Sequence, residues 1–175
     1  EEVHARVVSA FADVELDFER FKDRSPCTLS EGEKRRAAIA GVLAMQPELL
    51  VLDEPTAGLD HNGLLSVVQI LRKLHTQGKS IVLISHDLDL VAALVERIVV
   101  LQAGRIRFDG PRAKLLQDHR LMAQLDLTPP RTQRVVQALK RKGLVRNEDL
   151  YSLEEIKKEI ARTCGVIQNK PVVEK

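Results

Sequence analysis

Two adjacent carboxylates, Asp53 and Glu54, follow directly after the aliphatic run Leu49–Leu52. Such a run is typical of a strand buried on both faces of a parallel sheet, and Pro55 ends it because proline has no N–H to donate. Open α/β sheets bind ligands at the carboxyl ends of their strands. One carboxylate could bind a metal ion through water while the other faces a reacting water, because neighbouring side chains on a strand point to opposite sides. This pattern suits phosphoryl transfer from a nucleotide, and its alternative is a plain strand end before a turn.

A second candidate site lies at Ser30–Glu33, where serine and glycine precede a helical stretch. Ser30 is a favourable N-cap, and Glu33 three residues later completes the pattern of a capping box. Free N–H groups at a helix N-terminus, together with the Ser30 hydroxyl and the Gly32 amide, can bind a phosphate. An ordinary N-cap with no ligand explains the same residues, so both interpretations stay open at this point.

His86 follows a second aliphatic run, Ile81–Ile84, and could hydrogen-bond a γ-phosphate or an attacking water. Two parallel strands that both end in polar residues place those residues at the same sheet edge, where ligands of such sheets bind. A histidine with a purely structural role is the alternative. The order of the signals along the chain is therefore a helix opening, an acidic strand end and a strand that ends before a histidine.

The elements that position these residues follow from hydrophobic periodicity and from turn residues. Short aliphatic runs alternate with helical patterns, which predicts a parallel sheet with helices, and the runs at 98–101 and 105–108 predict a hairpin added to it. The predicted helices cover about residues 1–14, 30–45, 63–74, 88–93, 112–125 and 131–142, and another opens at Ser152. We therefore expect an α/β part over residues 1–110 and a helical C-terminal extension over residues 111–175.

Composition and charge limit the classes of function. Hydrophobic residues make up 44% and charged residues 30% of the chain, as in a globular protein. Aromatic residues are only 3% and tryptophan is absent, which argues against base stacking, so no nucleic acid partner is expected. The net charge is −4 over residues 1–110 and +6 over residues 111–175. The basic part could face anionic lipid or an acidic partner, or it is an ordinary solvated helical surface.

Cysteine usage and the lack of long apolar runs indicate where the protein works. Cys27 and Cys164 lie far apart and form neither a metal-binding pair nor a disulfide framework, which fits a reducing cytosol. No apolar run approaches the roughly 20 residues of a membrane span, so at a membrane another subunit would have to cross it. The chain also starts at Glu1 within a predicted helix and without methionine, so we expect an N-terminal part to be missing.

The ordered motifs resemble those of the ABC-type ATPases over about residues 28–110. The matching stretches are Leu29–Glu33 for the signature motif, Leu49–Asp53 for the Walker B strand, Glu54 for the catalytic carboxylate, Ala57–Asp60 for the D-loop and His86 for the switch histidine. Four motifs in this order are far more specific than any one of them. The stretch Lys34–Pro47 and the helical extension most resemble energy-coupling-factor and cobalt-type importer ATPases.

The resemblance implies a fold and an assembly. The fold would be α/β: the C-terminal part of a P-loop-type ABC ATPase domain, with a mostly parallel sheet and helices, followed by a small helical extension. In that family two ATPase domains pair head to tail and hold two ATP molecules between them. The C-terminal helices over residues 111–175 would add dimer contacts.

The resemblance also implies roles for individual residues. The signature residues Ser30, Glu31, Gly32 and Glu33 would contact the ATP held by the opposite subunit. Asp53 would bind Mg²⁺ through water, Glu54 would polarise the attacking water and His86 would contact the γ-phosphate. Asp60 would couple the two sites.

The chain departs from the family pattern in two respects. No stretch matches the phosphate loop G-x-x-x-x-G-K-[ST], so the chain by itself is expected to bind ATP weakly and to be inactive. In the signature, Glu31 and Glu33 replace a glycine and a glutamine. A carboxylate about 4 Å from a phosphate costs about 1 kcal/mol in water, and this cost disappears if Glu31 points away.

The predicted function is the ATP-binding and ATP-hydrolysing subunit of an energy-coupling-factor-like ABC importer, a translocase that takes up a vitamin or a metal ion such as cobalt. It would use ATP and Mg²⁺ and lie peripherally on the cytoplasmic face of the cell membrane. Its partners would be a second ABC ATPase subunit, identical or different, and an integral-membrane transporter subunit. The alternatives are a non-transport ABC ATPase and a catalytically dead half-domain that acts as an interaction module.

Overall fold

The computed structural model describes residues 1–165 and contains two compact units, one over Glu1–His86 and one that starts at Asp87. The first unit contains helices α1 (Glu2–Asp13), α2 (Phe18–Phe21), α3 (Glu31–Leu43) and α4 (His61–Thr76) and strands β1 (Leu49–Asp53) and β2 (Ser80–Ile84). The second contains helices α5 (Leu88–Leu94), α6 (Arg112–Gln117), α7 (His119–Gln124), α8 (Arg131–Arg141) and α9 (Leu153–Thr163) and strands β3 (Arg97–Gln102) and β4 (Arg105–Pro111). None of the described helices combines the length and apolar character of a membrane span.

Helix α3 begins where the capping pattern predicts. The Ser30 hydroxyl accepts a hydrogen bond from the Glu33 N–H at 3.2 Å, and the Glu33 carboxylate accepts one from the Ser30 N–H at 2.8 Å. The two bonds satisfy donors that a helix N-terminus otherwise leaves free. The capping box predicted from the sequence is therefore confirmed.

Helix α4 provides the centre of the first unit. Its apolar residues repeat at helical spacing, and one face is buried through Val67, Val68, Ile70, Leu71 and Leu74. The helix starts at His61, two residues before the predicted start, because the Asp60 carboxylate caps it by accepting the Gly63 N–H at 2.8 Å.

Strands β1 and β2 pair in parallel, with Leu50 opposite Ile81 and Asp53 opposite Ile84. The predicted burial of both faces is wrong. Leu50 is only 2% exposed, but the alternate residues are about half exposed, namely Leu49, Val51, Val82 and Ile84. Side chains alternate between the faces of a strand, so one face of this pair packs inward and the other is open in the described structure.

In the second unit the predicted hairpin is confirmed, since β3 and β4 pair antiparallel. The prediction that this hairpin extends the parallel sheet is wrong, because the described strands form two separate two-stranded sheets. The single helix predicted over 112–125 is also wrong. Asp118 separates α6 from α7 by accepting the N–H groups of Arg120 and Leu121, which starts a new helix.

The main core of the second unit includes residues from both sides of Gly110. Its buried members are Val91, Ala92, Ile98, Phe108, Leu115, Leu116, Met122, Leu125 and Tyr151. A smaller core joins α8 to α9 through Val136, Val145, Leu150 and Ile156. The compact units thus divide after His86, and the domain boundary expected at Gly110 stays a prediction.

Arg112 ties several segments of the second unit together. Its Nη1 donates to the carbonyls of Ala92 at 2.8 Å and Val95 at 3.0 Å, which are acceptors near the end of α5. Its guanidinium lies 4.4 Å from the centre of the Tyr151 ring. Burial raises the pKa of Tyr151 to about 12, and its hydroxyl donates to Asp149 at 3.0 Å. The phenol therefore stays protonated at physiological pH.

The hairpin carries an ion pair whose effect on stability depends on pH. Arg97 donates from Nε and Nη2 to the two carboxylate oxygens of Asp109, each at 2.7 Å, and this hydrogen bonding lowers the pKa of Asp109. A carboxyl with a lower pKa in the folded chain stabilises the fold above its unfolded pKa, and the contribution is lost as pH falls through the folded pKa. We expect Arg97→Gln to raise the pKa of Asp109 in an NMR titration, whereas Arg105→Gln on the same hairpin leaves it unchanged. An unchanged Asp109 titration in Arg97→Gln would contradict the pairing.

Candidate functional site

The carboxyl end of β1 turns sharply at Glu54. The backbone of Glu54 adopts a φ of 43°, in the left-handed region that residues other than glycine enter at a cost of about 1–3 kcal/mol. Its N–H still donates to the Ile84 carbonyl at 2.9 Å, so Glu54 stays tied to the end of β2. This turn brings the Glu54 carboxylate to the residues that follow β2.

The Glu54 carboxylate is held by the residues after β2. Its Oε1 lies 2.5 Å from Nδ1 of His86 and accepts the His86 N–H at 2.9 Å, and its Oε2 accepts the Ser85 hydroxyl at 3.1 Å. The hydrogen bond to the His86 side chain is the largest cause of the lowered pKa of Glu54. Glu54 is therefore ionised near neutral pH, and both of its oxygens are engaged. The two candidate catalytic residues, Glu54 and His86, are in direct contact.

Asp53 has a different environment from its neighbour. It is exposed, and its carboxylate forms no ion pair or hydrogen bond with the residues that the structure describes. No group of three or more His, Cys, Asp or Glu side chains within residues 1–165 could by itself hold a metal ion. Mg²⁺ typically takes one or two protein carboxylates and completes its shell with water and substrate phosphates. A free carboxylate at a strand end fits that role.

A cleft of about 450 Å³ lies where α3 and α4 begin. It is lined by Ser30, Glu31, Gly32, Glu33, Arg36, Gly58, Leu59, Asp60, Asn62, Gly63 and Ser66. The predicted signature residues and the D-loop aspartate thus share one cleft. Two helix N-termini that face one space supply N–H groups and a partial positive charge, as anion sites require.

Gly32 and Gly63 lie close together where α3 and α4 begin. A Cβ on Gly32 would lie 3.8 Å from the Cα of Gly63, which is an ordinary contact. A Cβ on Gly63 would lie only 3.0 Å from Oδ1 of Asp60, so a side chain there would disturb the cap of α4. Gly63 therefore keeps Asp60 in its capping position beside the cleft.

The acidic residues of the cleft are already paired. Glu31 accepts from Nζ of Lys34 at 2.7 Å, and this hydrogen bond is the largest cause of the lowered pKa of Glu31. The pKa of Glu33 is lowered first by the hydrogen bond that the Ser30 backbone N–H donates. Glu31 is thus ionised and neutralised by Lys34, and it lines the cleft. The hydroxyl of Ser30 accepts from Glu33 and keeps its own hydrogen to donate.

Comparison with known proteins agrees with this geometry. Residues 2–57 match the ABC transporter family. The chain is 38% identical over 163 residues to the energy-coupling factor transporter ATP-binding protein EcfA2 of Clostridium tetani, covering 93% of this chain and 57% of that protein. It is 48% identical over 113 residues to EcfA2 of Thermotoga maritima, covering 65% and 42% respectively.

The chain belongs to the ABC-type ATPases. Its solved structural neighbours include cbiO1 of Clostridium perfringens, part of the ABC transporter complex cbiONQ, with a TM-score of 0.60, 32% identity and coverage of 78% of this chain and 53% of that one. A dimeric post-hydrolysis structure of the ATP-binding cassette MJ0796 with ADP and Pi has a TM-score of 0.53 at 33% identity, covering 61% and 46%. The family and the α/β fold class predicted from the sequence are confirmed, and the chain spans about half the length of these relatives.

In this ABC-type ATPase chain the predicted site residues form two clusters. Asp53, Glu54 and His86 lie at the ends of β1 and β2, whereas Ser30–Glu33 and Asp60 line the cleft. Sequence reasoning did not assign a role to Lys34, although its spacing of three from Glu31 on a helix is a readable signal of an ion pair. It also missed Arg36, Asn62 and Gly63, whose place in the cleft depends on how the helices cross.

Proposed function

We propose that this chain belongs to an ATP-hydrolysing subunit of an energy-coupling-factor-like ABC importer, which couples hydrolysis to uptake. The contact between Glu54 and His86 carries the proposal, because it joins an ionised carboxylate to a histidine beside the free Asp53. A purely structural strand end has no need for an acid in a strained backbone conformation that points at a histidine. The names of the EcfA2 relatives support the transport role.

In the proposed mechanism each residue at the strand ends has one task. Glu54 orients the attacking water and accepts its proton, for which its carboxylate has to give up part of its hydrogen bonding to His86. His86, released from Glu54, contacts the γ-phosphate. Asp53 would hold Mg²⁺ through water, and the ion would supply neutralising charge for the phosphates.

The cleft at the start of α3 and α4 would receive the ATP held by a second ATPase subunit. The hydroxyl of Ser30 and the amide of Gly32 donate toward a γ-phosphate, and Asp60 links this cleft to the opposite site. Because the sequence has no phosphate loop motif, the chain by itself binds ATP weakly. Tight binding and turnover then belong to the complete protein in its assembly.

The proposed partners are a second ABC ATPase, of the same or a different sequence, and a membrane-spanning transporter subunit. The protein would lie peripherally on the cytoplasmic face of the membrane. The cargo would be a vitamin or a metal ion such as cobalt, which the partner subunits select. The cbiONQ complex named for one structural neighbour is consistent with this assembly.

The exposed face of β1 and β2 favours one second candidate, a half-domain that acts as an interaction module. Leu49, Val51, Val82 and Ile84 expose between 45% and 56% of their surface on one side of the parallel pair. Neighbouring exposed apolar side chains of this kind mark surfaces that other polypeptide segments cover. A module of this kind would pair through that face and would not hydrolyse ATP.

Reconstitution of transport distinguishes the two candidates. The complete ATPase that contains this chain is assembled with its second ATPase and its membrane subunit in lipid vesicles, and Mg-ATP hydrolysis is followed together with uptake of labelled cargo. We expect hydrolysis, and we expect uptake to stop when ATP is withheld. An assembly that forms but does not hydrolyse ATP would establish the interaction module instead.

A further inference from the structure

The side chains of Glu31 and Lys34 form an ion pair directly beside the N-terminus of α3. The two charged atoms are 2.7 Å apart, and Glu31 lines the cleft together with Ser30 and Gly32. Most i,i+3 pairs on exposed helices serve only as weak stabilisers. This pair differs because its acid lies where the proposed function requires an anion to bind.

The N-terminus of α3 retains donors for such an anion. The capping box uses the N–H groups of Ser30 and Glu33, and the Lys34 N–H bonds to the Ser30 carbonyl at 2.9 Å. The N–H groups of Glu31 and Gly32 have no acceptor among the described residues, as is usual for the first turn of a helix. A phosphate in the cleft would find these two donors free.

Arg36 also lines the cleft. The Nε of Arg36 is buried and forms no hydrogen bond within the described part of the chain, while its Nη1 donates to the Glu15 carbonyl at 3.3 Å. A buried donor without a partner is costly. Its guanidinium adds positive charge to the lining of the cleft, which favours an anionic ligand there.

We propose that Glu31 is a built-in competitor of the phosphate at this cleft and that Lys34 is a positioning residue that restrains it. The proposal rests on the proposed function, in which the cleft receives an ATP phosphate. Lys34 lies one turn further along α3, so pairing draws the Glu31 carboxylate along the helix and neutralises it. Without Lys34 the carboxylate is free to occupy the positive end of α3, where an anion is most favourable.

The two side chains therefore act in sequence rather than independently. Removing the charge of Glu31 removes the competitor, so phosphate binds more tightly. Removing the charge of Lys34 releases the competitor, so phosphate binds more weakly. Once Glu31 is gone, Lys34 has nothing to restrain, and its substitution has little further effect.

The test is a double-substitution cycle in the full 175-residue chain. Each variant is titrated with inorganic phosphate, and binding is followed through the amide signal of Gly32 in NMR spectra. We expect Glu31→Gln to tighten phosphate binding about fivefold and Lys34→Gln to weaken it about fivefold. A change of this size is expected from one screened charge near the ligand. In the Glu31→Gln background we expect Lys34→Gln to change affinity by less than about twofold. Thermal unfolding of each variant shows that the fold is retained.

The pair Glu19–Lys22 on α2 is a matched control, because it has the same spacing and chemistry but does not line the cleft. Glu19→Gln and Lys22→Gln change the net charge equally, and we expect them to leave the Gly32 titration unchanged. Equal effects of the substitutions at both pairs would show that net charge alone changes the phosphate affinity, which would overturn the proposal.

Two further outcomes would also overturn the proposal. Equal effects of Lys34→Gln with and without Glu31 would show that Lys34 binds the phosphate directly, and unchanged affinity in both single variants would show that the pair plays no part. Failure of the proposed function is a separate observation, since it appears as missing ATP hydrolysis in the reconstituted complex. The phosphate titration does not depend on hydrolysis.

Discussion

We expect Glu54→Gln to lower ATP hydrolysis by the complete ATPase at least about 100-fold, with little change in KM. A positioned general base contributes about 10²–10⁴ in rate, and the amide can neither accept the proton of water nor carry the charge that His86 faces. The structure supports a loss of activity without a loss of the fold. Glu54 is held by His86 and Ser85 through hydrogen bonds that a glutamine of the same shape can largely retain. The measurement is steady-state ATPase activity in the assembled complex.

Glu48→Gln is the matched control for this prediction. Glu48 is exposed and precedes β1 at the opposite end of the strand, so the same substitution there leaves the strand end unaltered. We expect its hydrolysis to remain within about twofold of the unsubstituted protein, as for surface changes away from special features. A Glu54→Gln variant that is as active as the Glu48→Gln control would exclude Glu54 as the general base.

We expect Leu74→Ala to destabilise the first unit by about 2–5 kcal/mol. Leu74 is completely buried on the inner face of α4, so the shorter side chain loses transfer free energy and leaves a cavity. A loss of this size is a large part of the total stability of a small domain. Urea unfolding of the full chain, followed by circular dichroism, measures the loss.

Leu65→Ala is the control for Leu74→Ala, since it makes the same change in the same helix. Leu65 is 43% exposed, so less apolar surface returns to water and no enclosed cavity forms. We expect a loss below about 1 kcal/mol, because alanine also has the higher helix propensity. Equal losses of unfolding free energy in Leu74→Ala and Leu65→Ala would contradict the orientation of α4, in which Leu74 is buried and Leu65 is exposed.

The start of α3 shows what local sequence can predict. The hydrogen bonds of its capping box join residues only three apart, Ser30 and Glu33, so the pattern of residue types suffices to find them. The start of α4 was missed by two residues although Asp60 caps it by the same kind of bond. Asp60 and Asn62 are both of residue types that cap helices, and helix ends are defined only to within one or two residues.

The strand ends show where local sequence stops being sufficient. Aliphatic runs correctly indicated β1 and β2 and a common edge for their polar ends. The direct contact between Glu54 and His86 depends on the parallel register and on the left-handed backbone at Glu54, which no pattern in the sequence indicates. The same limit explains the half-exposed Leu49 and Val51, because an apolar run does not reveal which of its faces is covered.

The sequence by itself determined the family and the fold class and indicated the polar residues at the two strand ends and at the start of α3, because motif residues, caps and strand runs are local patterns. The tertiary structure decided that β3 and β4 form a sheet of their own, that the second core joins residues on both sides of Gly110, and that α3 and α4 share a cleft. These features arise from contacts between residues far apart in the chain. Their free energy depends on packing and register, which residue order alone does not specify.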